Sequence, residues 1–94
     1  MYFDWDDNKN RANIKARGID FADAAEVFFD DHAISFEDTT ETYNDGQRMR
    51  IIGKSRTLNN VLFVVYAEIE KDNLIRIISA RLAEKPEIKL YMHR

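Results

Sequence analysis

An α+β fold is predicted, with helices laid on an antiparallel sheet, and three observations predict it. Two segments near the start of the chain carry helix caps and stops, Asp6 to Gly18 and Asp20 to Phe29. Four later segments show strand patterning and are separated by short polar turns. A last segment starts a helix at Pro86 and runs to the C-terminal end. The predicted order is two N-terminal helices, a four-stranded antiparallel meander and a C-terminal helix, all in one domain over 1–94.

Each element has a local cause. Asp6 or Asp7 caps a first helix over 7–17, with Gly18 as its C′ stop. Trp5, Ala12 and Ala16 are its thin apolar anchor. Asp20 caps a second helix over 20–29. There Ile19 and Ala24 form a hydrophobic staple, and Phe21, Ala24, Ala25 and Phe28 make an i, i+3, i+4, i+7 stripe. Residues 33–38 alternate, with Ile34 and Phe36 on one side. Asn44-Asp45-Gly46 signals a hairpin into a strand over 48–53. Residues 61–69 are nearly all apolar, as in a central strand. Lys71-Asp72-Asn73 turns into the strand 74–80, and a helix over 86–92 follows. The helices are expected to cover one face of the sheet.

Composition narrows the function. The 94 residues are 45% hydrophobic, which is typical of a folded globular domain. With no cysteine there is neither a disulfide framework nor a thiolate metal site. The acidic start, MYFDWDDNKN, is unlike a signal peptide, and no apolar run reaches membrane-span length, so a cytoplasmic location without membrane contact is expected. The net charge of −3 hides an asymmetry. Residues 1–47 hold twelve acidic and four basic side chains, a balance of −8, whereas residues 48–94 hold ten basic and five acidic, a balance of +5. A pI near 5.3 argues against a general nucleic-acid coating protein but leaves room for a basic active face.

The chemistry-bearing residues gather near the end of the chain. Leu74–Tyr91 places Arg76, Arg81, Glu87 and Tyr91 within about twenty residues. Arginine in a half-buried strand calls for an anion, and its planar fork matches phosphate. Arg48 lies on a neighbouring strand. Arg76 and Arg81 are five apart, so a regular strand would point them to opposite faces. They converge only if the strand ends or bulges near Ser79-Ala80. Against this stands the commoner arrangement, in which the arginines simply pair with surface carboxylates. His32 and His93 are isolated, and no Gly-rich phosphate loop, serine triad or paired-carboxylate site is present. No metal and no cofactor are expected.

The chain resembles the BrnT family of bacterial type II toxins. The likeness runs from Phe3 to Tyr91. It includes Phe3-x-Trp5-Asp6 with Lys9 and Asn13, and Gly18-Ile19-x-Phe21 with Ala24-Ala25 and Val27-Phe28. Phe36-Glu37-Asp38-Thr39, Arg48-x-x-x-Ile52-Gly53 and Val64-Val65-Tyr66 follow in order. Last comes Arg76-Ile77-Ile78-Ser79-Ala80-Arg81-x-Ala83, with Glu87 and Tyr91. Ala16-Arg17-Gly18 stands where the family commonly has Lys-His-Gly, which removes a candidate proton carrier, and Leu82 stands where the family is often basic. The resemblance implies a RelE-like ribonuclease fold and metal-independent RNA cleavage that inhibits translation. It also implies a BrnA-like protein antitoxin, with DNA reached only through that antitoxin. Arg48, Arg76, Arg81, Glu87 and Tyr91 are then the catalytic candidates, and Lys9, Arg50 and Lys54 the RNA-binding ones. General base and acid stay unassigned among Glu87, Tyr91 and Lys9. The rival class is a binding module, or an inactive homologue, that docks a partner on the basic sheet face without turnover.

Overall fold

The computed structural model describes residues 1–37 and 47–93. Its elements are strand β1 (Tyr2–Trp5), helix α1 (Asp7–Arg17), helix α2 (Phe21–Ala24) running on as a 3-10 helix (Ala25–Phe29), and strand β2 (Ile34–Glu37). Strands β3 (Gln47–Ser55), β4 (Asn60–Ile69) and β5 (Leu74–Leu82) follow, then helix α3 (Lys85–Met92). The expected Asn44-Asp45-Gly46 turn lies outside the described residues.

The domain is α+β, with a five-stranded mixed sheet in the order β1-β5-β4-β3-β2. Two expectations are corrected here. A fifth strand precedes α1, and it runs parallel to β5, pairing Tyr2 with Leu74 and Trp5 with Ile77. Only the four later strands pair antiparallel in sequence order. A parallel neighbour needs a long crossover, and here the intervening chain supplies it. The second helix is also not a single α-helix. Its fully buried side chains, Phe21, Ala24 and Val27, recur every three residues, which is the period of the tighter 3-10 form it adopts after Ala24.

The local caps explain where the helices begin. The Asp6 carboxylate accepts hydrogen bonds from the Asn8 and Lys9 amides at 2.7 and 3.2 Å, and Gly18 ends α1 at φ 71°. Asp20 caps α2 through the Ala22 amide at 2.9 Å. At α3, Glu87 accepts from the Glu84 amide at 2.8 Å, so the helix starts at Lys85 behind a Glu84-x-x-Glu87 box.

The core is divided by the sheet. On one face, Phe21, Ala24 and Val27 of the α2 segment pack on Leu62, Val64, Ile77 and Ala80. On the other, Tyr91 of α3 packs on Ile52 and Phe63. Helices therefore cover both faces, not one as expected. The second anchor of α1 is also unexpected. Ala12 and Ala16 are exposed, and the buried residue of this helix is Asn13.

Candidate functional site

Register decides which side chains share the α3 face. Directly paired residues on neighbouring strands point the same way. One row across the sheet reads Arg48–Ala67–Arg76–Asp4, the next Arg50–Val65–Ser79, the next Ile52–Phe63–Arg81, and the last Lys54–Val61. Arg48, Arg50, Lys54, Arg76 and Arg81 thus stand on one face. Arg76 and Arg81 share it because of a β-bulge. Val65 pairs with Ser79 but Tyr66 pairs with Ile77, so Ile78 is an extra residue that restores the parity a regular strand would break.

The arginines are held differently. Arg76 donates from Nε and Nη2 to the two carboxylate oxygens of Asp4 at 3.0 and 3.1 Å. This pair is open to solvent, with the two side chains 40% and 44% exposed. Arg81 donates from Nη1 and Nη2 to Glu87 at 2.8 and 2.7 Å, and from Nη1 to the Leu82 carbonyl at 3.2 Å. Its guanidinium carbon lies 4.2 Å from the Phe63 ring centroid, and that of Arg50 lies 5.4 Å from the same ring. Arg48 has its Nε and Nη1 atoms buried.

The electrostatics follow from these contacts. The hydrogen bonds from Arg81 hold Glu87 below the usual carboxylate range, although burial opposes the shift. The same bonds raise Arg81 further above its already high value. Glu87 is a fixed anion with both oxygens engaged. Tyr91 is turned to the underside of α3, 8% exposed, and donates to Asp30 Oδ2 at 2.7 Å. The Lys54 amide donates to the same oxygen at 2.8 Å, and the His32 amide to Oδ1 at 2.9 Å. Burial works to raise Asp30, but these bonds outweigh it and leave the carboxyl lowered.

Lys9 is exposed on α1, four residues before Asn13 and on the same side of that helix. Asn13 docks on β5 at Ala80, which puts Lys9 at the β5 edge of the sheet rather than on the arginine rows. Two participants escaped the sequence argument. Asp4 was hidden because a four-residue strand with an acid inside it gives no periodic signal. Asn13 stands out in the sequence only as part of a motif, and its burial has no signature in a helix that looks polar all round. Ala67 is the small, fully buried residue between Arg48 and Arg76. Neighbouring strands lie about 4.8 Å apart, so the backbones carrying Arg48 and Arg76 stand about 10 Å apart over a floor without a bulky side chain.

A shallow cleft of about 560 Å³ lies elsewhere, lined by Glu26, Asp30, His32, Lys54 and Arg56 among others. Its Glu26 staples the β3–β4 turn by accepting from Thr57 Oγ1, the Thr57 amide and Ser55 Oγ, at 2.6 to 2.9 Å. Among the described residues no helix is long and apolar enough to cross a membrane. One family model matches residues 5–87, and it is described as a ribonuclease toxin, BrnT, of a type II toxin–antitoxin system. No individual curated protein matches the chain.

Proposed function

This chain belongs to the BrnT family of type II toxin–antitoxin ribonuclease toxins, and from that premise we propose that it cleaves RNA on the Arg48–Ala67–Arg76 row without a metal ion, so inhibiting translation. The row is the observation that carries the reading. Two permanent cations flank the small, buried Ala67 on one sheet face, Arg76 half exposed and Arg48 with Nε and Nη1 buried, a spacing that suits one phosphodiester reached from both sides.

The reaction balances as a transesterification. The 2′ oxygen forms a bond to phosphorus and gives up its proton. The bond from phosphorus to the 5′ oxygen breaks, and that oxygen takes a proton. Arg48 and Arg76 bind the phosphate and offset the charge that grows on it, the role a pre-aimed cation plays best in a partly dry site. Arg81 stands two rows along, on the same face, as a third cation for the strand of RNA. Glu87 and Tyr91 brace it: Glu87 holds the guanidinium and Tyr91 pins α3 to Asp30. Arg50 continues the basic track for flanking phosphates, Lys54 offers a further cation beyond the Ile52–Phe63 row that Tyr91 covers, and Lys9 approaches from the β5 edge. Single-stranded RNA suits such a site, because its sugar and phosphate can be splayed into a shallow groove.

Type II toxins pair with a protein antitoxin. We assign a BrnA-like protein to that place, a RelE-like relationship to the fold, and the cytoplasm as the site of action. The binding-module reading has one observation in its favour: Asp4 and Glu87 already occupy the forks of Arg76 and Arg81. The two readings separate on purified protein incubated with single-stranded RNA in the presence of EDTA. Cleavage to a 2′,3′-cyclic phosphate end supports the ribonuclease reading. Tight RNA or antitoxin binding with no cleavage supports docking.

A further inference from the structure

The sheet rows place Arg81 on the face of Arg76 only because Ile78 is bulged out of register. A bulge needs something to hold it, and here the outer edge of β5 has lost its neighbour. β1 pairs with β5 as far as Ile77 and stops there. Ala80, two residues past the bulge, is fully buried, and among the described residues no strand lies beside it on that side. Its backbone groups are met by one side chain. Asn13 Nδ2 donates to the Ala80 carbonyl at 3.0 Å, and the Ala80 amide donates to Asn13 Oδ1 at 3.2 Å. This two-way pairing reproduces what an adjacent strand would offer. The same Nδ2 donates to the Ile19 carbonyl at 2.9 Å, so the turn between α1 and α2 is tied to the same point.

We propose that Asn13 is a positioning residue, whose carboxamide stands in for the missing strand at Ala80 and thereby fixes the bulge that brings Arg81 onto the Arg76 face. The effect on cleavage rests on the ribonuclease reading above. The effect on geometry does not. The amide is suited to the task because it carries a donor and an acceptor on one rigid plane, as a peptide group does. A carboxylate of the same shape is not suited, since it sets an anion against two carbonyl oxygens. Loss of the clamp leaves buried backbone groups unmet and lets residues 79–82 shift relative to residues 74–77. A displacement of about 1 Å at a cation that positions the RNA is enough to slow a reaction by about 10- to 100-fold.

The test combines exchange, a spectroscopic signature and kinetics. In the unmodified protein the Ala80 amide is expected to exchange slowly with solvent, as a paired strand amide does, and the Arg81 side-chain resonances to be displaced by the ring current of Phe63. In Asn13→Ala, measured well below its melting temperature, Ala80 protection falls, the Arg81 resonances move, and kcat/KM on RNA drops about 10- to 100-fold. Asn13→Asp is expected to be no better than Asn13→Ala in any of these. An Ala80 amide in the unmodified protein that exchanges as fast as an open edge amide overturns the proposal, whatever the variants do. So does an Asn13→Ala protein with parental Arg81 resonances. An unmodified protein that shows the protection and the ring-current shift but cleaves no RNA keeps the clamp and overturns the ribonuclease reading instead.

Discussion

Arg81 and Arg76 look alike in the sequence, yet their surroundings assign them different costs. Arg76 and Asp4 form a half-exposed pair, and such pairs contribute about 0–1 kcal/mol. Arg81 is stacked on Phe63 and joined at two points to a Glu87 that is only 16% exposed. Arg81→Ala leaves that carboxylate largely buried and unmatched, so it is expected to melt clearly below Arg76→Ala, and differential scanning calorimetry of the two variants checks this. The pair also sets a pH dependence. Glu87 is lowered in the folded state, so its contribution is complete above the ordinary glutamate value and is lost as pH falls through the depressed folded value. The gap in melting temperature between the parent and Glu87→Gln should therefore be widest near neutral pH and shrink in acid. A gap that grows on acidification would show that the pair does not stabilise the fold. Tyr91→Phe removes one donor from Asp30 and keeps the ring between Ile52 and Phe63. A loss of about 1 kcal/mol in chemical denaturation is expected.

At the scale of elements, close packing between the α2 segment and β3 leaves room for nothing larger than glycine at position 53. A Cβ there would lie 3.0 Å from Ala33 Cβ and Val27 Cβ and 3.1 Å from the Val27 carbonyl oxygen. Gly53→Ala is expected to cost about 1–3 kcal/mol, read as a lower denaturation midpoint with an unchanged slope. Elements governed by local chemistry were legible from the residues. The Asp6 cap and the Gly18 stop bound α1, and Asn73, at φ 50°, makes the β4–β5 turn. Elements governed by distant partners were not. β1 is a strand because β5 is there to pair with it. The α2 segment tightens because its buried side chains recur every three residues, a distinction that a stripe of Phe21, Ala24, Ala25 and Phe28 blurs. The basic residues of the candidate site were legible by type and motif. Their shared face was not, since it depends on one bulged residue.

The whole molecule is small and carries more apolar surface than it can cover. Phe29, Leu90 and Met92 are 71%, 58% and 64% exposed, and a protein antitoxin is expected to cover such apolar surface together with the acidic half of the sequence. A protein antitoxin that neutralises the chain stably would bury more than about 1,000 Å² in total. Co-expression with the product of the neighbouring gene is expected to give a stable complex on size exclusion, and a persistent monomer would count against that partner. Expression of the chain alone is expected to arrest bacterial growth, and co-expression of the partner to restore it.

On the proposed reading, Arg76 serves the phosphate on the Arg48–Ala67–Arg76 row more than it serves the fold. The direct measurement is RNA cleavage by purified parent, Arg76→Lys and Arg76→Ala proteins, with a thermal melt of each. A loss of about 10²–10³ in kcat is expected for Arg76→Ala, with a smaller loss for lysine, which keeps the charge without the fork, and with melting temperatures close to the parent. An Arg76→Ala protein that is folded and cleaves RNA at the parental rate would contradict it.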